Sequence, residues 1–158
     1  MAEPSVLDDP TLLLAAASNG VNERVVRYMV EAGFDDVRPV HGYVFQHLLP
    51  GPKTIGELAD LLGVTQQGAS KSVAELERLG YVAREVVEGD RRVRQVHLTA
   101  RGQAAIDAGR AARATVRADL EELLGARGEA ALLRALRRVA EHTGGLETLT
   151  TRRLRPTT

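Results

Sequence analysis

Residues 54–82 read TIGELADLLGVTQQGASKSVAELERLGYV, and this stretch decides the fold. Its opening, Thr54 to Glu57, matches a capping box, in which the threonine hydroxyl and the glutamate carboxylate each accept a hydrogen bond from a backbone N–H group at the start of a helix. Apolar residues follow at helical spacing as far as Gly63, a residue suited to the left-handed end of a helix. Thr65 can then cap a second amphipathic helix. Two helices joined by a three-residue turn form a helix-turn-helix.

After Gly80 the hydrophobic period changes to that of β-strands. Residues 82–86 and 94–98 each follow an alternating pattern, and the Glu88-Gly89-Asp90 sequence between them has the composition of a turn. This part of the sequence predicts a β-hairpin with a basic tip.

Longer helices are predicted on both sides of this module. Asp9 and Pro10 read as the cap and first turn of an N-terminal helix, whose narrow apolar seam runs to Gly33. Further helices are expected at residues 39–49, 100–124 and 129–143. The ending, residues 150–158, is polar and rich in arginine, and we predict that it is disordered.

The composition limits the class of protein. With 158 residues the chain can bury one core, or form a small module with packing helices, but not a large multidomain enzyme. It contains no cysteine, which excludes disulfides, thiolate zinc sites and iron–sulfur clusters. No apolar run approaches the roughly 18 residues of a membrane helix, and the N-terminus lacks the pattern of a secretory signal. We therefore expect a cytoplasmic protein without membrane contact.

Charge is unevenly distributed, although the formal net charge is zero. Residues 1–60 carry nine acidic and four basic side chains, whereas residues 91–101 carry four arginines and no acid. A local basic density of this kind suits a polyanion.

The second helix of the helix-turn-helix carries polar residues suited to DNA. Thr65 precedes it, and Gln66, Gln67, Ser70 and Lys71 lie off its apolar side. Glutamine can bind an adenine edge, lysine can reach guanine or phosphate, and serine can bind either. The alternative is an ordinary solvated helix face. DNA binding is favoured because no acid occurs from residue 66 to residue 74 and because the basic hairpin follows.

The hairpin tip contains Asp90, Arg91 and Arg92. These residues form either a solvated turn, in which aspartate serves turn geometry, or a DNA contact, in which an arginine enters a narrow minor groove and the aspartate orients it.

Six short motifs between residues 54 and 99 resemble those of the MarR (multiple antibiotic resistance regulator) family of winged helix-turn-helix transcriptional regulators. The motifs are ELA (57–59), GVT (63–65), ASK (69–71), LERLGYV (76–82), DRR (90–92) and LT (98–99). They span about a third of the chain, and the flanking helices agree with the family in length and order.

The resemblance implies a homodimer in which the first and the last two helices interlock. It also implies that the second helix of the helix-turn-helix reads the major groove, that Arg92 is the minor-groove arginine, and that a small aromatic effector regulates a repressor. The narrow seam of the N-terminal helix independently favours a partner surface over a helix folded back on its own domain. A two-fold dimer implies a pseudo-palindromic operator in double-stranded DNA, with half-sites about 10 bp apart.

Other candidate sites have weaker support. Tyr28, Tyr43 and His47 could line the effector cleft that the resemblance implies, but aromatic residues at helical spacing usually belong to a core. The four histidines do not form a local pair, so we expect structural histidines at the surface or half-buried, and no metal. No catalytic constellation or cofactor motif occurs, so we expect neither an enzyme nor a cofactor.

We predict a mainly α (α+β) fold: a winged helix-turn-helix with a three-helix dimerisation region formed by the N- and C-terminal helices. The predicted units are residues 1–36 (dimerisation helix), 37–99 (DNA binding), 100–149 (dimerisation helices) and 150–158 (tail). The expected function is a homodimeric repressor released by an effector. Two alternatives stay open: a constitutive or architectural DNA-binding protein without effector, and a winged-helix module that binds protein.

Overall fold

The computed structural model describes residues 6–87 and 90–154, apart from the side chains of residues 87 and 90–93. A 3-10 turn at Val6–Asp8 precedes the first helix. The elements then follow as α1 (Pro10–Glu31), α2 (Pro39–Leu48), β1 (Lys53–Thr54), α3 (Ile55–Leu62), α4 (Gln66–Arg78), β2 (Val82–Val87), β3 (Asp90–Leu98), α5 (Ala100–His142) and α6 (Gly145–Thr151). The predicted mainly α fold with a winged helix-turn-helix is confirmed.

The helix-turn-helix consists of α3 and α4, and its ends are capped as the sequence predicts. At the start of α3, the Glu57 N–H donates to Thr54 Oγ1 at 3.2 Å and the Thr54 N–H donates to Glu57 Oε2 at 2.7 Å. Gly63 ends the helix in the left-handed conformation, with φ 69°. The Thr54 side chain thus pairs with a backbone N–H group at the start of α3 that has no partner within the helix.

The wing is an antiparallel sheet in the order β1-β3-β2. Val82 pairs with Leu98, and Lys53 of β1 pairs with Val96 on the other side of β3. Strand β1 is not predictable from the sequence, because a strand of two residues is too short to show an alternating pattern.

One core joins the winged module to the start of α5. Its buried members come from α2, α3, α4, the wing and α5: Val44, Phe45, Leu48, Leu58, Leu62, Val73, Leu76, Tyr81, Val82, Val96, Ala105 and Ile106. Gly102 lets α5 approach the wing, because a Cβ built there would lie 2.1 Å from the Tyr81 carbonyl oxygen. Close packing of this kind fixes α5 against the wing.

The two longest helices, α1 and α5, pack on each other. Met29 is the buried residue of α1, and its Sδ lies 3.6 Å from the position of a Cβ on Gly109 of α5. An ion pair between Arg24 and Asp119 joins the same helices. The predicted break in the C-terminal helical region is present at Gly125, whose φ of 65° and ψ of 164° are not helical. Every helix in the described ranges is too short or too polar to span a membrane.

The C-terminal end differs from the prediction of a disordered tail at residues 150–158. Residues 150 and 151 belong to α6, and Leu154 packs against the core while its N–H donates to the Leu62 carbonyl at 2.9 Å. The end of the chain thus contacts α3, which lies about 90 residues earlier in the sequence. Residues 155–158 lie outside the described residues.

Candidate nucleic-acid interface

Helix α4 presents a polar face because its apolar face is fixed in the core. Ala69, Val73 and Leu76 are completely buried. On the opposite side Gln67 and Lys71 are exposed. This arrangement has the form of a recognition helix: one face holds the helix in place and the other is free to enter a groove.

The N-terminal end of α4 is stabilised by Thr65. Its Oγ1 accepts a hydrogen bond from the Gly68 N–H at 3.1 Å. A Cβ on Gly68 would lie 3.3 Å from that oxygen, so glycine leaves room for the cap. The exposed Thr65 therefore has a structural role, and its capped helix end carries the partial positive charge that favours a nearby phosphate.

The remaining predicted residues of α4 differ in their surroundings. Gln66 is exposed, but its Nε2 lies 3.5 Å from the position of a Cβ on Gly56, so its amide lies over the start of α3. Ser70 is half-buried. Gln67 and Lys71 are consequently the predicted residues that α4 presents most openly.

A polar cluster connects the start of α2 to α4 through Glu75. Arg38 pairs with Glu75, and the Nδ1 atom of His41 accepts from the Arg38 backbone N–H at 3.1 Å. His41 is 2% exposed, which corrects the expectation of a surface or half-buried side chain for this histidine, whereas His47 and His97 are half-buried and His142 is exposed as expected. Burial lowers the pKa of His41, because an apolar environment disfavours the imidazolium. The buried ring thus caps the start of α2 by accepting the Arg38 N–H.

The base of the wing is fixed to α4. Arg84 Nε lies 3.3 Å from Glu77 Oε2, which ties β2 to α4. The predicted tip residues Asp90, Arg91 and Arg92 belong to β3, but their side chains lie outside the described residues. Their predicted contacts with DNA therefore stay predictions.

A second polar cluster joins the α1–α2 connection, the wing and α5. The Tyr81 hydroxyl donates to Asp36, and Arg101 donates to the same hydroxyl at 3.0 Å while its guanidinium lies 4.7 Å from the Tyr81 ring centroid. Burial and the neighbouring Asp36 carboxylate raise the pKa of Tyr81 to about 12. The Tyr81 hydroxyl holds the pKa of Asp36 below its usual value. No local sequence pattern marks this cluster, because its members lie up to 65 residues apart.

The family comparison matches the module that carries these features. Residues 35–93 match the model of the MarR family. The chain carries a MarR-family winged helix-turn-helix. Members of this family are transcriptional regulators that bind DNA and are not enzymes. A comparison with curated protein sequences finds no match.

Solved structures extend the likeness over most of the chain. RV1404 from Mycobacterium tuberculosis is 26% identical, with a TM-score of 0.70 over 89% of this chain and 96% of that one. CouR, a transcriptional repressor solved with a 23-mer DNA duplex, is also 26% identical, with a TM-score of 0.62 over 89% of this chain and 99% of CouR. YusO from Bacillus subtilis is 22% identical, with a TM-score of 0.67 over 91% of this chain and 99% of YusO, and it shares the fold.

The three predicted effector residues have different surroundings. Tyr28 lines an open cavity of about 130 Å³, whose other walls are Arg24, Arg27 and Glu31 of the same helix. Tyr43 packs against the core, and His47 Nε2 lies 3.2 Å from the Arg152 carbonyl oxygen. Tyr43 and His47 lie four residues apart on α2 and Tyr28 lies on α1, and the effector cleft stays a prediction. Within the described ranges, no group of three or more acidic or histidine side chains could hold a metal ion.

Proposed function

We propose that the protein is a homodimeric, sequence-specific repressor of transcription that a small aromatic molecule releases from DNA. One observation carries the proposal: α4 presents Gln67 and Lys71 at its capped N-terminal half, in a stretch from residue 66 to residue 74 that contains no acid. In a helix-turn-helix, this end of the second helix contacts the base edges in the major groove.

The described surroundings suggest a role for each predicted residue of α4. Gln67 is fully available for a bidentate contact with adenine, and Lys71 can reach a guanine or a phosphate. Ser70, being half-buried, can contribute a hydroxyl where DNA approaches closely, whereas Gln66 and Thr65 mainly order the helix start. In the wing, Arg92 would enter the minor groove, with Asp90 orienting it and Arg91 near the backbone.

Dimerisation is supported by the apolar side chains that one chain leaves exposed. From residue 117 to residue 154, a stretch that is fully described, no residue is buried. The exposed leucines of this region include Leu123, Leu124, Leu132, Leu133, Leu136 and Leu149, and those of α1 are Leu12, Leu13 and Leu14. A second chain that covers these residues would make residues 1–36 and 100–149 a dimerisation region and residues 37–99 the DNA-binding unit. Its symmetry would match a pseudo-palindromic operator with half-sites about 10 bp apart.

Repression and release have indirect support. The 26% identical CouR is a transcriptional repressor, which favours the same sign of regulation here. An effector near Tyr28, Tyr43 and His47 would bind between the long helices and the winged module and change the distance between the two recognition helices. Binding to an operator in chromosomal DNA agrees with the expected cytoplasmic location.

The test is selection of genomic DNA fragments by the purified protein over a series of salt concentrations, followed by sequencing. We expect a palindromic site and a steep salt dependence, since each neutralised phosphate lowers the logarithm of the affinity by about 0.9 per decade of salt. Weak binding without sequence preference would favour an architectural protein. Absence of binding at low salt would favour a module that binds protein.

Three variants then test the interface on the recovered operator. Gln67→Ala should lose about 1–3 kcal/mol of discrimination at one base position, whereas Lys71→Ala should weaken binding to all sequences. Arg92→Ala should be most harmful where the operator flanks are rich in A·T pairs. Arg78→Ala is the matched control, because it removes an exposed cation from the last turn of the same helix. If all four variants bind the operator with the affinity of the natural protein, the proposed interface is wrong.

A further inference from the structure

The last described residues, 152–154, fold back onto the helix-turn-helix, and we name them the C-terminal strap. Three contacts hold the strap. The Leu154 N–H donates to the Leu62 carbonyl at 2.9 Å, the Leu154 side chain packs against the core, and His47 Nε2 lies 3.2 Å from the Arg152 carbonyl oxygen. The strap thus contacts the end of α3 and the end of α2 together.

The local chemistry explains why the strap stays at this place. Leu62 is the last residue of α3, and its carbonyl has no acceptor role within the helix, so the Leu154 N–H satisfies it. Arg152 adopts a left-handed conformation with φ 53°, which turns the chain after α6. The half-buried Leu154 adds apolar contact.

The strap places Arg153 beside the turn of the helix-turn-helix. Its Cδ and Cγ atoms lie 3.6 and 3.7 Å from the position of a Cβ on Gly63. Gly63 lies two residues before Thr65, which caps α4. Arg153 is exposed, and in the described part of the chain no carboxylate lies within 4.0 Å of its guanidinium. A cation without an acidic partner among the described residues is therefore held at the same end of α4 as Gln67.

We propose that Arg153 binds a phosphodiester of the DNA backbone next to the recognition helix. This inference rests on the proposed function, and it adds a contact from outside the residues 35–93 that match the family model. A phosphate that flanks the occupied major groove lies beside the helix-turn-helix turn, and arginine matches phosphate geometry. Because the strap already fixes the stem of Arg153, the contact costs less side-chain entropy than one from a free tail.

The decisive measurement is the salt dependence of DNA binding by full-length variants. We expect Arg153→Ala to weaken binding about three- to tenfold near 0.1 M salt, equally for the operator and for unrelated DNA, and to lower the salt slope by about 0.9 for each phosphate that the arginine neutralises. Arg153→Lys should retain most of the affinity, because it keeps the charge. Arg78→Ala, which removes an exposed cation elsewhere on the module, should leave the slope unchanged.

Leu154→Ser tests whether the strap positions the arginine. It should weaken binding to a similar degree, and Arg153→Ala should then have little further effect, while thermal unfolding shows that the variant is folded. If Leu154→Ser weakens binding but Arg153→Ala does not, the strap is only structural and the inference is wrong. If Lys71→Ala weakens binding and Arg153→Ala changes neither affinity nor slope, this inference alone fails. If the natural protein does not bind DNA, the proposed function fails with it.

Discussion

Gly102 shows how one missing side chain positions the winged module against α5. A Cβ at this residue would lie 2.1 Å from the Tyr81 carbonyl oxygen and 3.1 Å from a Leu98 methyl group. Backbone cannot move away as a flexible side chain can, so we expect Gly102→Ala to lower the free energy of unfolding by about 1–3 kcal/mol. Denaturant unfolding followed by circular dichroism measures the change.

Gly109 is the matched control on the same helix. The nearest atom to a Cβ there is the Met29 Sδ at 3.6 Å, an ordinary contact distance. Gly109→Ala should therefore leave stability unchanged or raise it by up to about 1 kcal/mol, because alanine favours the helix. Equal losses in both variants would show that close approach to Tyr81 is not the cause.

Tyr81 gives the protein a specific alkaline sensitivity. Its folded-state pKa is raised from 10.0 to about 12 by burial and by Asp36. The unfolded chain therefore loses the phenol proton first, and the stability contributed by the neutral phenol, complete below pH 10, falls by about 2 kcal/mol as the pH rises to 12. Denaturant unfolding at several pH values should show a steeper decline between pH 10 and pH 12 for the natural protein than for Tyr81→Phe. Parallel declines would rule out this role of Tyr81.

At the scale of the element, the start of α4 depends on the Thr65 cap. The hydroxyl accepts from the Gly68 N–H at 3.1 Å. Thr65→Ala removes this acceptor and should lower the free energy of unfolding by about 1 kcal/mol, whereas Thr65→Ser keeps the hydroxyl and should cost much less. Chemical denaturation of the two variants measures the difference. Equal stability of both would mean that the cap does not stabilise the fold.

Elements with local signals could be predicted from the sequence, and those with distant partners could not. The capping residues and apolar spacing of α3 and α4 lie within each helix, so the sequence alone locates both helices and the exposed face of α4. The two-residue β1 forms only because β3 is beside it, and the ordered end at Leu154 depends on Leu62. His41 likewise has a distant neighbour, since its Nε2 lies 3.8 Å from Glu75 Oε2 on α4.

At the scale of the whole molecule, the exposed apolar side chains of the long helices are the feature that supports the proposed dimer. In the single chain Leu123 is 77% exposed and Leu133 is 57% exposed, although both lie on α5. Large exposed apolar surfaces are rare on monomers and typical of interaction sites. In the sequence, the narrow apolar face of α1 already favours a partner surface. Neither that pattern nor the structure of a single chain defines which residues would meet across the proposed interface.

Leu133→Glu tests the dimer directly. In a monomer, a glutamate at this exposed position would hardly change the free energy of unfolding. In a dimer it would place an unpaired carboxylate in an apolar interface, which costs several kcal/mol of association free energy. Sedimentation equilibrium should give twice 17.1 kDa for the natural protein and a mass shifted towards 17.1 kDa for the variant. Val86→Glu is the control, since Val86 is 52% exposed but lies on the wing, away from α1 and α5. A natural protein that sediments as a monomer would contradict the homodimer, and with it the requirement for a palindromic operator, because a single recognition helix reads only one half-site.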